Sequence, residues 1–155
     1  MNSEEFSELD HHWQTVQRYL RTRTRRGIRE QIGAGIEVAG FQILGQLVRR
    51  GPLAPSDLAS CFDVRSSTMT SQLDRLEEAG LVLREPVPDG GSRIKVMATP
   101  KGVEAYERYR RLRREILQDL LGHLSADDQQ RLADLYQRLA DGIEAEREKA
   151  RRAGE

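Results

Sequence analysis

Apolar residues recur every three or four positions over most of this chain, which predicts a mainly helical protein. A first helix over residues 4–31 is indicated by an apolar series at this spacing, namely Leu9, Trp13, Val16 and Leu20. Glycines at 33 and 35 break that pattern. A second helix with a broad apolar face follows and ends at Gly51-Pro52, because glycine favours a helix end and proline cannot continue the helix.

Two shorter helical patterns come next. The first starts at Pro55, and the second runs to about Ala79, with Gly80 as its stop. Asp63-Val64 is the brief turn between them, and the inner stripe of the second helix is Met69, Leu73 and Leu76.

Beyond residue 80 the period changes from that of a helix to two, which indicates strands. The alternation sets Leu81, Leu83, Ile94, Val96 and Ala98 against Val82, Arg84, Arg93, Lys95 and Met97. A long turn rich in proline and glycine, residues 86–91, lies between the two runs. Thr99-Pro100 then begins another helix, with the threonine as cap and the proline in the first position.

The last two predicted helices, one running to about Leu121 and one after Ser125, carry long apolar stripes. Ser125 with Asp128 three residues later resembles a capping box. The final stripe consists of Leu132, Leu135, Leu139 and Ile143, and the helix before it offers Leu112, Ile116, Leu117 and Leu120. Together with the first helix, these stripes expose more apolar surface than one small lobe can cover, so we expect an obligate dimer.

Composition and charge leave the partner undecided. The 155 residues include 25 basic and 25 acidic side chains, so any cationic surface has to be local. A single cysteine, Cys61, excludes an internal disulfide and fits a reducing compartment. The first residues lack the pattern of a signal peptide, and no apolar run approaches the roughly 18 residues of a membrane span. We therefore expect a cytoplasmic protein.

The order helix, turn, helix, hairpin is that of a winged helix-turn-helix, whose second helix enters the major groove of DNA. The start of that helix carries short polar residues suited to close approach, and Arg75 follows one turn later. The hairpin places Arg93 and Lys95 on one strand face, where they can reach phosphates, and Asp89 can pair with Arg93 in the turn. Ser66 or Ser67 can also cap the helix, but capping does not require five polar residues. The predicted DNA-binding residues are Arg65, Ser66, Ser67, Thr68, Thr70, Ser71, Arg75, Arg93 and Lys95.

These segments resemble the MarR family of transcriptional regulators. The likeness is carried by DLA at 57–59, STMT at 67–70, DRLEEAGLV at 74–82 and TPKG at 99–102. It implies a mainly helical fold with a small β-hairpin wing, divided into an N-terminal dimerisation helix (1–36), a winged DNA-binding lobe (37–99) and C-terminal dimerisation helices (100–155). It also implies a homodimeric repressor of its own or neighbouring genes that binds a palindromic operator in double-stranded DNA.

Three features of the sequence depart from the family pattern. Ser71 stands where an arginine is frequent, Arg65 and Ser66 exchange the common order of serine and arginine, and the turn reads Asp89-Gly90-Gly91-Ser92-Arg93. The family's base preference therefore does not carry over to this chain.

The resemblance further implies a cleft between the dimer helices and the lobe, in which a small aromatic or anionic effector binds. Trp13 and Tyr19 are the candidates to line it, although aromatic residues on such a helix also serve as dimer core.

Other chemistry has less support. Adjacent His11 and His12 diverge by about 100° on a helix and do not suit one metal ion, so no metal or other cofactor is predicted. For Cys61, packing is favoured over a redox role. No catalytic motif is present, so an enzyme is not predicted. The alternative to DNA binding is a winged-helix module that binds another protein.

Overall fold

The computed structural model describes residues 1–32, 35–87 and 93–153. Within these ranges the chain forms six α-helices and one antiparallel hairpin, so the mainly helical winged fold is confirmed. The elements are α1 (Ser3–Gly27), α2 (Val38–Arg50), α3 (Pro55–Phe62), α4 (Ser66–Glu78), β1 (Val82–Pro86), β2 (Ile94–Ala98), α5 (Pro100–Leu121) and α6 (Ala126–Ala153).

The first helix begins with a capping box that the sequence analysis missed. The Asn2 side chain accepts hydrogen bonds from the backbone N–H groups of Glu4 and Glu5, and the Glu5 carboxylate accepts one from the N–H of Asn2 at 2.8 Å. After α1 the helix widens into a π-helical turn, Ile28–Ile32. The predicted break at Gly33 lies outside the described residues.

The helix-turn-helix follows the predicted boundaries closely. Gly51 ends α2 with a φ of 80°, a left-handed conformation that glycine adopts without strain. Pro55 is the first residue of α3, where its missing N–H has no partner to lose. Asp63 adopts a left-handed conformation with a φ of 51° and forms the turn into α4.

The register of the hairpin decides which residues face the core. Val82 pairs with Ala98, Leu83 with Met97 and Arg84 with Val96. Directly paired residues lie on one face of a sheet, so Arg84 shares a face with the buried Val96, whereas Leu83 lies on the other. Leu53 adds a short antiparallel bridge to Val96, with N–H to carbonyl distances of 3.0 and 2.8 Å.

One apolar core joins the lobe to the facing side of α5. Its fully buried side chains are Phe41, Leu44, Leu58, Leu73, Leu76 and Val96. Tyr109 of α5 stacks on Phe41 with ring centroids 4.7 Å apart. Leu112 and Ile116 are each only 3% exposed, so the prediction that they serve a dimer surface was wrong. Gly27 explains part of this burial, because a side chain there would overlap Leu112.

The chain divides into two compact units, Met1–Ile116 and Leu117–Glu155. In the second unit, α6 begins after Ser125, whose hydroxyl accepts a hydrogen bond from the N–H of Asp128 at 3.2 Å and donates one to its carboxylate at 2.7 Å. The predicted apolar stripe on α6 is largely exposed, at 52% for Leu135, 59% for Leu139 and 53% for Ile143. None of the helices in the described ranges is both long and apolar enough to cross a membrane.

Candidate nucleic-acid interface

The polar residues predicted to meet DNA lie together at the start of α4. Arg65 is the N-cap of α4, and Arg75 in the second half of the helix is exposed. The five hydroxyl residues of this helix are exposed as well, namely Ser66, Ser67, Thr68, Thr70 and Ser71. The opposite side of the helix is buried through Met69, Leu73 and Leu76, as predicted. The core therefore fixes which side of α4 faces outward.

The capping role considered for Ser66 or Ser67 was wrong. Arg65 occupies the N-cap position, its backbone is extended with φ −66° and ψ 148°, and its side chain makes no capping hydrogen bond. Ser66 and Ser67 are the first two helical residues instead. The N–H groups of a first helical turn lack partners within the helix and suit an anionic oxygen. This end of α4 therefore combines exposed hydroxyls with a favourable electrostatic position for a phosphate.

The two predicted wing cations lie on or next to β2. Lys95 is exposed and pairs across the hairpin with Glu85. Arg93 precedes β2 and is also exposed, and its carbonyl accepts a hydrogen bond from the N–H of Val87 at 2.9 Å. Alternation along the strand places both residues on the face opposite Val96. The pairing of Asp89 with Arg93, and the turn that contains Asp89, lie outside the described residues.

Residues at the start of α5 attach that helix to the end of α4. The Thr99 hydroxyl donates a hydrogen bond to the Gly80 carbonyl at 2.7 Å and accepts one from the N–H of Gly102 at 3.0 Å. The Lys101 ammonium donates to the Ala79 carbonyl at 2.7 Å. Gly102 passes so close to the Leu81 carbonyl that a Cβ atom would overlap it. The TPKG run therefore fixes the junction between α4 and the wing.

Arg84 makes a second connection between the wing and α4, which the sequence analysis did not predict. Its guanidinium donates to Asp74 at 2.7 Å and to Glu77 at 2.6 Å. Two signals in the sequence were available: carboxylates three residues apart on the predicted helix, and a cation within the strand that follows.

The candidate effector residues are exposed on α1. Trp13 is 47% exposed and Tyr19 is 37% exposed, with the Arg23 guanidinium 6.0 Å from the Tyr19 ring centroid. Neither residue lines either of two cavities beside α2. The larger, of about 430 Å³, is lined by Arg25, Ile28, Arg29, Gly35, Ile36, Glu37, Val38 and Ala39. The other, of about 240 Å³, is lined by Phe41, Gln42, Gly45, Gln46, Arg49, Phe62, Tyr106, Tyr109 and Arg113.

Tyr109 brings an aromatic ring and a hydroxyl to the smaller cavity. Burial raises the pKa of Tyr109 above its ordinary value, while the charge of Arg113 and a hydrogen bond to it act in the opposite direction. The Tyr109 hydroxyl therefore stays protonated at neutral pH and can serve as a hydrogen-bond donor. Arg49 and Arg113 add positive charge at the same cavity.

Cys61 differs from its predicted environment. It is exposed, and Arg50 Nη1 lies 3.0 Å from its sulfur, so the prediction that it packs in the core was wrong. The end of α3 turns this residue outward, while Leu58 and Ala59 of the same helix are buried.

Comparison with known proteins agrees with this geometry. The MarR family model matches residues 34–91, which include α2 to α4 and β1. An HTH-type transcriptional regulator of Mycobacterium leprae is 32% identical over 109 residues, covering 68% of this chain and 76% of that protein. The chain belongs to the MarR family.

Other relatives of this MarR-family chain are regulators as well. The HTH-type transcriptional regulator PecS of Dickeya dadantii is 31% identical over 102 residues, which cover 64% of this chain and 61% of PecS. A MarR family protein from Bacillus stearothermophilus superposes with a TM-score of 0.79 at 22% identity, covering 92% of this chain and 98% of the other. At that identity the structural likeness supports the fold alone. The protein is thus a MarR-type transcriptional regulator, from a family of DNA-binding proteins and not of enzymes.

Proposed function

We propose that this regulator is a repressor that binds a palindromic operator as a homodimer and leaves it when a small anionic ligand binds. The observation that carries the DNA contacts is the outward side of α4, where exposed hydroxyls begin at the first helical residue and no side chain caps the helix. Thr70 and its neighbours are short enough to approach base edges, whereas Lys95 and Arg93 suit phosphates.

The homodimer is supported by exposed apolar surface. Besides the stripe on α6, the first half of α1 exposes Phe6 by 62% and Leu9 by 52%. Contiguous apolar stripes of this kind are unusual on a monomer and typical of an interface. A symmetric dimer presents two copies of α4, so it requires two half-sites about 34–36 Å apart or a multiple of that distance.

Ligand control is supported by cationic and aromatic groups at the cavities. Arg25 and Arg29 line the larger cavity beside apolar residues, an arrangement suited to an amphipathic anion. The smaller cavity joins aromatic rings with Arg49 and Arg113. We keep Trp13 and Tyr19 as a separate prediction for the effector site. Binding to chromosomal DNA places the proposed activity in the cytoplasm.

The DNA contacts are tested by measuring affinity for DNA from the upstream region of the protein's own gene, and for random DNA, over a range of salt. We expect Lys95→Ala, and separately Arg93→Ala, to weaken both affinities and to lower the salt slope by about 1.8, because each lost phosphate contact contributes about 0.9 and a dimer loses two. Thr70→Ala should reduce the difference in affinity between operator and random DNA and leave the salt dependence of binding nearly unchanged.

Arg111→Ala is the matched control, since it removes one exposed positive charge from α5. Parent-like slopes for both wing variants would show that the wing does not touch DNA. A protein that binds no upstream DNA at any salt concentration would favour the alternative, a winged-helix module for protein partners.

A further inference from the structure

Arg84 lies between the two elements proposed to contact DNA. It belongs to β1 of the wing, and its guanidinium reaches α4, with Nη2 2.7 Å from an Asp74 oxygen and Nη1 2.6 Å from a Glu77 oxygen. Residues three apart on a helix lie on one side of it. The two nitrogens of one planar guanidinium therefore bond to two points along α4. Two bonds of this kind restrain both the distance between β1 and α4 and the orientation of β1 relative to the helix.

The Arg84 side chain is less exposed than those of its two partners. Its side chain is 23% exposed, and it shares a hairpin face with the buried Val96. Burial alone lowers the pKa of the Arg84 guanidinium, but hydrogen bonding and attraction to Asp74 and Glu77 outweigh it, so the pKa lies above the ordinary value. The partner side chains are more exposed, at 51% for Asp74 and 40% for Glu77, so solvent screens these two pairs in part.

The contact of Arg84 is made by β1, whereas the backbone bridge beside it is made by β2. At the base of the hairpin the N–H of Thr99 donates to the Leu81 carbonyl, and at the middle of β2 Leu53 bridges Val96. Arg84 is the middle residue of β1 and pairs with Val96, so its bonds to Asp74 and Glu77 attach β1 to α4 at the level where Leu53 is bonded to β2. By contrast, the ion pairs Arg108–Glu104 and Arg110–Glu107 each join residues within α5 and fix no second element.

We propose that Arg84 is a positioning residue that holds the wing against α4, so that both meet DNA in a single geometry. This role rests on the proposed contacts of Thr70 and Lys95. Arg84 need not touch DNA itself. Arg84 makes the two sets of contacts depend on each other, because a wing that is correctly placed on DNA also positions the hydroxyls of α4 against the DNA. Without Arg84, each element contacts DNA independently of the other.

A double-mutant cycle measures this dependence directly. Operator affinity is determined for the full-length parent, Thr70→Ala, Lys95→Ala and the double variant, and the same four proteins are made with Arg84→Met. In the parent we expect the operator affinity of the double variant to differ by about threefold or more from the value that the two single substitutions predict independently. This lies within the range found for coupled residues. With Arg84→Met we expect them to be additive and operator affinity to fall by about tenfold, within the same range of interaction energies.

The controls separate positioning from stability. Arg108→Met removes an ion pair of equal length, the 2.6 Å contact with Glu104 inside α5, and should preserve both affinity and coupling. Arg84→Lys keeps the charge with a single donor group and should restore part of the coupling. If Arg84→Met unfolds, the near-isosteric Asp74→Asn with Glu77→Gln removes the same charge pairs from the α4 side.

The outcomes distinguish failure of the proposed DNA contacts from failure of the proposed role of Arg84. If Thr70→Ala and Lys95→Ala leave the affinity of the parent unchanged, the proposed DNA contacts fail and the role of Arg84 fails with them. If both weaken binding, yet their coupling survives Arg84→Met, only the role of Arg84 is overturned. Loss of coupling with Arg108→Met would overturn it as well, since removal of a distant charge would then suffice.

Discussion

The winged lobe and α6 have the same kind of amphipathic helix but differ in what covers the apolar side. In the lobe, Leu58 and Leu73 are completely buried by neighbouring elements of the same chain. On α6, Leu135 and Leu139 remain more than half exposed. Burial of a leucine side chain stabilises by about 1.5–3 kcal/mol, so the lobe has gained this free energy from its own fold. The exposed α6 stripe has yet to gain it, and we propose that a second copy of the chain covers the stripe.

The largest effect should come from charging the α6 stripe. Leu139→Lys places a cation in the proposed interface, while lysine remains a good helix former. A dimer loses two leucine contacts, about 3–6 kcal/mol, so we expect dissociation to become at least about 100-fold easier. Sedimentation velocity over a range of protein concentrations measures this. The control is Gln137→Lys on the polar side of α6, which should remain dimeric. Equal dissociation of both variants would contradict an interface built on this stripe.

Identical truncations in the two regions should then behave differently. Leu58→Ala leaves a cavity in the lobe and should cost about 2–5 kcal/mol of unfolding free energy. The loss should not depend on protein concentration. Leu135→Ala, at an exposed position, should cost little in the isolated chain and should act by weakening the dimer, so its effect should grow as the protein is diluted. Denaturant unfolding at several concentrations tests both. A concentration-independent loss of similar size for Leu135→Ala would mean that the chain itself covers this side chain.

This difference also shows what the sequence could reveal. Periodicity located the helices, the turn at Asp63 and the buried stripe of α4, because these depend on local chain geometry. It could not show which stripe meets which surface. Leu112 and Ile116 were therefore assigned to the dimer, although both are buried within one chain, Leu112 beside Gly27. The missing step was a contact between helices distant in sequence.

The candidate interface likewise contains residues that the sequence could predict and residues that it could not. The exposed hydroxyls of α4 were found from the sequence, because a helix with one buried side must present the other. Arg84 was missed, since its partners depend on the strand register and on the packing of the wing against α4. The outward position of Cys61 was missed too, because the length and end of α3 decide it.

Alanine substitutions at two glycines should change the stability by intermediate amounts and in opposite directions. At Gly102 a Cβ atom would overlap the Leu81 backbone carbonyl, so Gly102→Ala should destabilise the lobe by about 1–3 kcal/mol. At Gly142, within α6, a Cβ atom would meet nothing within 4 Å. Gly142→Ala should therefore stabilise by about 0.5–1 kcal/mol through helix propensity. Thermal unfolding compares them. A loss of stability at Gly142 would place a partner chain closely against that position.

The smallest effect concerns two serines at helix starts. The Ser125 hydroxyl is used in capping α6, so Ser125→Ala should cost about 1 kcal/mol of stability. Ser67 lies inside the first turn of α4, where Arg65 holds the cap position without a side-chain bond. Ser67→Ala should therefore change stability by less than about 0.5 kcal/mol, as most surface substitutions do. Ser67→Ala should still reduce the difference in affinity between operator and random DNA, because the hydroxyl that it removes faces outward from α4. Denaturant unfolding and DNA affinity are measured for both variants. A loss of about 1 kcal/mol at Ser67 without any change in operator preference would assign its hydroxyl to the helix and not to DNA.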